Sequence, residues 1–244
     1  MAGALGLGLA PGDVVLSLGT SGVAYSVSDE PTQDATGRVA GFADATGRHL
    51  PLVCTLNATR VTDMVAAWLG TDAAGLGDLA LGADESGRRP IVVPWFDGER
   101  TPNVPNGAGQ LLELTTATTA ADIALAAHDG VLCGLLDGVD ALIEAGVQVN
   151  GQLHLIGGGA RSAAYRQRCA DLWGRPVVRP DADETVATGA AVQAAAIALD
   201  EPLADTQGRW ALGAGDWVHP RHGVDAVAIR DRHRHATAHA MAFA

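Results

Sequence analysis

The sequence predicts an α/β fold, a mixed sheet with flanking helices, on two observations. Short runs rich in β-branched residues alternate with longer segments in which apolar residues recur at helical spacing. Two glycine-rich turns each follow such a run, one at residues 19–22 and one at 157–159. A hydrophobic content of 48% against 18% charged residues is that of a globular protein, and 244 residues can bury a substantial core in one large or two small domains.

Residues 1–10 alternate small and apolar residues with no capping residue ahead of them, as if a helix were entered part-way, which points to a segment upstream. Residues 13–18 (DVVLSL) and 23–27 (VAYSV) read as the strands of a hairpin around Gly19, Thr20, Ser21 and Gly22. Glycines on both sides of a Thr-Ser pair let backbone N–H groups and two hydroxyls converge on one point, which suits phosphate oxygens. An ordinary four-residue hairpin loop is the other reading. Residues 38–44 and 49–56 are expected as further strands joined by a turn at Ala45, Thr46 and Gly47.

Val61, Met64, Val65 and Trp68 follow helical spacing, with Asn57 or Thr59 as the N-cap. Residues 73–87 read as a short helix with loops around it. Ile91, Val92 and Val93 form a short strand that delivers the chain to Trp95 and a polar loop at 97–102, where Glu99 beside Arg100 reads as a self-satisfied surface ion pair. In residues 120–145, Ile123, Ala127, Val131, Leu135, Val139 and Leu142 keep one face of a long helix, and Asp122 near its start favours the helix dipole. His128, on or beside that face, reads as a hydrogen-bonded packing residue.

The stretch at 153–162, LHLIGGGARS, reads as a buried strand, a sharp turn and the start of a helix. Adjacent glycines cost conformational entropy and give up packing, so they belong where the backbone needs positive φ or where another molecule lies flat against it. A ligand pressed on the turn explains them; a tight turn without a ligand is the alternative. Tyr165, Cys169, Leu172 and Trp173 then mark a helix ended by Gly174, Val177 and Val178 a strand, and residues 183–199 a third, Ala-rich helix carrying Gly189 where another backbone comes close. Beyond Asp200 the periodicity weakens, and residues 201–244 read as a packing extension ending in a solvated basic helix. Five of the eight histidines lie there (His219, His222, His233, His235, His239); His235 and His239 are spaced i,i+4, but no acidic or cysteine partner frames them as a metal site.

A net charge of −12 repels phosphate backbones and anionic lipid, which argues against a nucleic-acid or membrane-surface role, while a nucleotide can still bind through backbone donors. Cys54, Cys133 and Cys169 are odd in number, far apart and within apolar segments, as expected of reduced core cysteines in a cytoplasmic protein. The N-terminus lacks the basic region of a signal peptide, and no apolar run is long enough for a membrane span. The sequence has no GxxxxGK[ST] phosphate loop, no HExxH, no GxSxG and no GxGxxG after any of these strands.

Taken together, AGALGLG at 2–8, LSLGTSG at 16–22, PWFDGERTP at 94–102, LIGGGARSAAYRQ at 155–167 and DETVATGAA at 183–191 resemble the C-terminal domain of the FGGY carbohydrate kinases, in the family's order and across nearly the whole chain. Within that family the pattern is most similar to the xylulokinases. The resemblance implies the actin-like ATPase (ribonuclease H-like) fold, in which two lobes close on a nucleotide, and it assigns residues 1–200 to the nucleotide-binding domain. Gly19, Thr20, Ser21 and Gly22 would then approach the terminal phosphates. Gly158, Gly159 and Ala160 would pack on the adenosine, Ser162 and Ala163 would stand near the base or ribose, and Asn57 to Asp63 would border the nucleotide from the other side. The chain departs from the family's Ala-Arg-Gly at Gly107, Ala108 and Gly109, and from its Glu-Gly at Asp129 and Gly130.

The resemblance also implies the activity: transfer of the γ-phosphate of ATP, with Mg2+, to a sugar hydroxyl, D-xylulose giving D-xylulose 5-phosphate. The family's catalytic Asp stands in a Gly-Asp-Asn element before the stretch matching residues 1–8, and the sugar-binding lobe with its metal-binding acidic residue also lies upstream. Transfer needs an acceptor held in line, a metal and a base. The chain is therefore expected to bind ATP or ADP without phosphorylating the sugar, and no acidic residue is nominated as base. Kinases of another pentose, a hexose or glycerol, a non-catalytic nucleotide-binding remnant and an actin-like chaperone ATPase are the alternatives. An exposed face between lobes would be apolar in patches, so a homodimer is a further expectation.

Overall fold

Strand β1 (Val14–Leu18) organises the sheet because its side chains serve two cores. Val14, Leu16 and Leu18 point into the main core and Val15 into a smaller one on the opposite face, as the two-residue period of a strand requires. β2 (Gly22–Ser26) returns antiparallel to β1, and β3 (Leu52–Thr55) lies antiparallel beyond it. A separate two-stranded ribbon is formed by β4 (Ile91–Val93) and β5 (Gln110–Leu112). On the other side of β1, β6 (Leu153–Ile156) and β7 (Val177–Pro180) run parallel to it, and β8 (Gly215–Val218) closes the edge antiparallel, giving the order β3-β2-β1-β6-β7-β8. The computed structural model describes residues 2–87 and 89–242.

Helices cover both faces. α1 (Ala2–Gly6) packs over the smaller core, and its partner is α6 (Thr185–Leu199). The two approach so closely that a Cβ on Gly189 would lie 1.7 Å from Ala2 O, which is the close backbone contact expected at that glycine. The main core lies under α2 (Thr59–Trp68), α3 (Ala73–Leu81), α4 (Ala120–Glu144) and α5 (Ala163–Trp173). α4 starts in a capping box: the Thr119 hydroxyl accepts from the Asp122 N–H, and the Asp122 carboxylate accepts from the Thr119 N–H. α5 ends at Gly174 in the left-handed conformation, φ +69°, as expected. α7 (Leu203–Arg209) and α8 (Ala226–Met241) complete the chain.

Several expectations are corrected. Residues 38–44 form only isolated bridges, Ala40 with Leu52 and Ala43 with His49, and the second expected strand shrinks to β3. The Asp34 and Asp44 carboxylates capture the nearby N–H groups of Thr36, Val39, Thr46 and Arg48, so this segment forms side-chain-closed turns in place of a ladder. β5, which pairs with β4, has no counterpart among the expected strands. The tail contributes an edge strand to the main sheet, and α8 buries His233, Ala236 and Ala240, the two alanines packing with Val93 and Trp95. It is an amphipathic packing helix and not merely a solvated one. The helix expected within residues 1–10 is the five-residue α1, with Met1 outside the described residues. The three cysteines are free; Cys133 and Cys169 are buried, and burial pushes the Cys169 thiol up to about 12.

Candidate functional site

The pairing of β1 with β6 brings the two glycine turns together. The strands are parallel, with Ser17 opposite Ile156, so the chain leaves both of them at the same edge of the sheet, one strand into residues 19–21 and the other into 157–159. From this edge the chain goes from β1 to β2 on one side and from β6, through α5, to β7 on the other, so the two connections diverge here. Ligands of open α/β sheets sit beyond the carboxyl ends of the strands at such a place. The turns touch at their bases: Gly157 has φ +88°, and a Cβ there would lie 2.6 Å from Leu18 O.

Beyond that edge lies a cleft of about 670 Å³, within the size range of small-molecule sites. Of the residues singled out from sequence, Gly19, Thr20, Asp63, Gly158, Gly159, Ser162 and Ala163 line it. Thr20 and Gly159 thus face one common space. Ser21, Gly22, Asn57 and Ala160 are not among the lining residues. Ser21 is exposed on the turn, Gly22 packs against Thr55 and Leu135 at the start of β2, and Ala160 is buried beneath the 3-10 turn Gly158–Arg161 that precedes α5. The far wall is α3, whose Ala73, Ala74 and Gly77 line the cleft with small side chains, as do Ala163 and Ala164 of α5, and the two helices close on each other at Gly77. A Cβ on Gly77 would lie 3.4 Å from Ser162 Oγ.

The position of Asn57 has a structural cause. α2 has no side-chain cap; the N–H groups of Ala58 and Thr59 donate to Thr20 O at 3.1 Å and Gly19 O at 3.0 Å, so the β1–β2 turn caps the helix. Neither expected residue, Asn57 or Thr59, is the N-cap. Asn57 instead donates from Nδ2 to Gly98 O at 2.7 Å and to Glu99 Oε2 at 3.1 Å. Glu99 Oε1 accepts from the N–H groups of Leu56, at 2.5 Å, and Arg100, at 2.8 Å. Glu99 is only 3% exposed. The reading of Glu99 and Arg100 as a surface ion pair is therefore wrong: Glu99 is a buried carboxylate that clamps the segment leading into the cleft wall. Little that is local reveals this, because two of its three donors, Leu56 and Asn57, lie 43 and 42 residues away.

The floor of the cleft is polar. His128 of α4 and Tyr165 of α5 both line it, their ring centroids 4.5 Å apart, and Tyr165 Oη lies 3.1 Å from Thr62 Oγ1. Burial lowers the His128 pKa below the ordinary histidine value and raises that of Tyr165, so both rings are uncharged at neutral pH. Behind the floor, the fully buried Arg168 makes a bidentate pair with Asp129, Nε to Oδ1 at 2.8 Å and Nη2 to Oδ2 at 2.9 Å, and reaches Glu85 and Asp171. This network ties α5 to α4. Gly130 beside it is required by space, since a Cβ would lie 2.4 Å from Val92 O.

The model of the C-terminal domain of the FGGY family of carbohydrate kinases matches residues 14–198, a span that includes both glycine turns and the cleft between them. The chain belongs to this family. Xylulose kinase of Streptomyces coelicolor is 48% identical over 214 residues, 88% of this chain and 43% of that protein; xylulose kinase of Streptomyces rubiginosus is 45% identical with the same coverage. The chain thus spans less than half the length of these relatives. The crystal structure of xylulose kinase from Bifidobacterium adolescentis superposes with a TM-score of 0.79 at 39% identity, covering 97% of this chain and 46% of that one. That from Rhodospirillum rubrum, at 22% identity, shares the fold with a TM-score of 0.85 over 99% of this chain and 50% of that one. The FGGY domain accordingly has the actin-like ATPase fold, a mixed sheet flanked by helices.

In this FGGY domain the departure at Asp129 is accommodated by the pair with Arg168. Among the described residues no group of three or more His, Cys, Asp or Glu side chains is placed to hold a metal ion, His235 and His239 included. No described helix is long and apolar enough to cross a membrane.

Proposed function

We propose that this domain is the ATP-binding half of a sugar kinase that transfers the γ-phosphate of ATP to a hydroxyl of D-xylulose. The observation that carries the reading is the pair of side-chain-poor turns, at 19–22 and 157–159, issuing from adjacent parallel strands into one cleft. In this reading the β1–β2 turn, Gly19 to Gly22, approaches the terminal phosphates with the N–H groups and hydroxyls of Thr20 and Ser21, the Gly19 N–H being engaged by Ser21 O. Gly158, Gly159, Ser162 and Ala163 lie against the nucleoside, with Asp63 on the opposite wall. Xylulose as acceptor follows from the names of the relatives at 48% and 45% identity.

Mg2+ is commonly held by substrate phosphates and one or two carboxylates; here those carboxylates would come mainly from outside this chain, as would the base and the sugar site. Residues 1–200 form the nucleotide-binding domain and 201–244 an extension that completes its sheet and core. The protein would act in the cytoplasm. The outer face of α6, which carries no charge, would let the isolated chain self-associate.

Isothermal titration of the chain with ATP and ADP, paired with a coupled ADP-release assay containing D-xylulose and Mg2+, tests the reading. Saturable nucleotide binding without sugar-dependent turnover is expected. No binding of either nucleotide would overturn the proposal, and robust turnover would overturn the placement of the base outside this chain.

A further inference from the structure

We propose that His128 is a specificity-determining residue of the cleft: its Nε2 is a fixed hydrogen-bond acceptor that selects a nucleotide presenting an N–H or O–H donor to the floor. The proposal rests on the nucleotide reading and names a recognition contact within it.

The assignment follows from counting protons. His128 Nδ1 lies 2.8 Å from Ala124 O. A carbonyl oxygen only accepts, so Nδ1 carries the hydrogen. A neutral ring has one N–H, which leaves a lone pair on Nε2. Burial, the dominant influence on the ring, keeps it neutral.

The neighbours supply no donor to that lone pair. The Thr62 hydroxyl donates to Thr59 O at 2.9 Å, so its proton is committed. Tyr165 Oη, 3.1 Å from Thr62 Oγ1, must then be the donor of that pair, which commits the tyrosine proton as well. The floor offers lone pairs on His128 Nε2 and Tyr165 Oη and no spare hydrogen. Among the described residues, the bond to Ala124 is the one hydrogen bond His128 makes, and although the residue is only 2% exposed, Nε2 retains accessible surface where the ring lines the cleft.

A buried acceptor without a donor is costly, and a ligand that supplies the donor recovers that cost while one presenting another acceptor pays repulsion instead. On a purine nucleotide the available donors are the exocyclic amine of adenine and the ribose hydroxyls. The cleft that His128 lines, about 670 Å³ in volume, is large enough for a nucleotide to bring such a group to the floor.

The test uses the full chain with four ligands: ATP, ITP, in which a carbonyl replaces the 6-amino group, 2′-deoxy-ATP and 3′-deoxy-ATP. Wild type is expected to bind one of the three analogues about 10-fold more weakly than ATP, roughly the value of one hydrogen bond to a buried acceptor. Which analogue suffers identifies the donor. His128→Leu should bind ATP as weakly as wild type binds that analogue and should no longer distinguish the two, while His128→Gln, which keeps an acceptor, should restore part of the preference. Imidazole 15N spectra of wild type give a second readout that no folding defect can blur: the Nδ1–H tautomer in the free chain, and a shift at Nε2 with ATP that the disfavoured analogue does not produce. Equal affinity of wild type for all four ligands, or discrimination undiminished in His128→Leu, overturns the assignment and leaves the nucleotide reading standing. Failure of all four to bind overturns both.

Discussion

Gly157, Gly158 and Gly159 are neighbours with different reasons to lack a side chain. Gly157 has a positive φ and abuts Leu18 O, and a Cβ on Gly159 would lie 2.8 Å from that of Leu18 and 2.9 Å from Cγ2 of Thr59. Around Gly158 a Cβ would meet nothing within 4 Å, yet the residue lines the cleft. The internal packing thus explains two of the three, and a ligand is left to explain the third. Gly157→Ala is expected to lose about 2–4 kcal/mol in urea unfolding, as strain at a special φ with a backbone clash does. Gly158→Val should unfold within about 1 kcal/mol of wild type and lose nucleotide affinity; an affinity equal to wild type would remove the ligand from the account of this glycine. The triplet itself was readable as a site from sequence, but the division of labour within it was not, because Leu18 and Thr59 arrive from far along the chain. Glu99 shows the same limit more sharply. Its local setting, a charged pair ahead of proline, looks solvated, and only the fold delivers the Leu56 and Asn57 donors that make it a clamp. Glu99→Ala leaves these buried donors unpaired and is expected to cost about 3 kcal/mol, with Glu99→Gln losing less.

Elements with a strong period were legible and those defined by long-range contacts were not. α4 and α5 follow from their apolar spacing and caps, whereas α2 is started by carbonyls of a turn some forty residues earlier, and β5 exists only because β4 needs a partner. α8 lay between these cases: its charges suggested solvent, and its buried stripe was hidden among small residues and one histidine. Neither ring nitrogen of that histidine, His233, meets a partner in hydrogen-bonding geometry, although the Val92 backbone is close by. Burial, reinforced by Arg230 and Arg234, pulls its pKa down to about 4 from the ordinary 6.5. A depressed histidine pKa means that the unfolded chain takes up a proton the folded one refuses. Its contribution is complete above pH 6.5 and is lost as pH falls toward 4, at up to about 1.4 kcal/mol per unit. Urea midpoints measured between pH 7.5 and 5 should fall for wild type and fall less steeply for His233→Leu; parallel curves would show that α8 docking does not depend on a neutral ring.

At the scale of the molecule, the strand order could not be read from the sequence, yet it alone makes the two turns neighbours, so the site was visible as two fragments before the sheet joined them. The same scale exposes one apolar surface. Residues 185–199 contain no charged side chain, and while Gly189, Val192 and Ala196 are buried, with Gly189 against α1, the opposite stripe of Val186, Ala190, Ala194 and Ile197 is exposed. Ile197 is 82% and Val186 64% exposed. An apolar stripe of this kind calls for a cover, and in solution the cover at hand for the isolated chain is a second copy of itself. Its net charge of −12 opposes that association at long range. Screening should therefore strengthen an apolar contact as salt rises and would weaken one made of ion pairs. Sedimentation velocity of the chain across a concentration series at 50 and 500 mM NaCl is expected to show self-association that grows with salt. The Val186→Glu, Ile197→Glu double variant should stay monomeric at both; if it associates as wild type does, the contact lies on another face, and association that weakens with salt would make it a polar one.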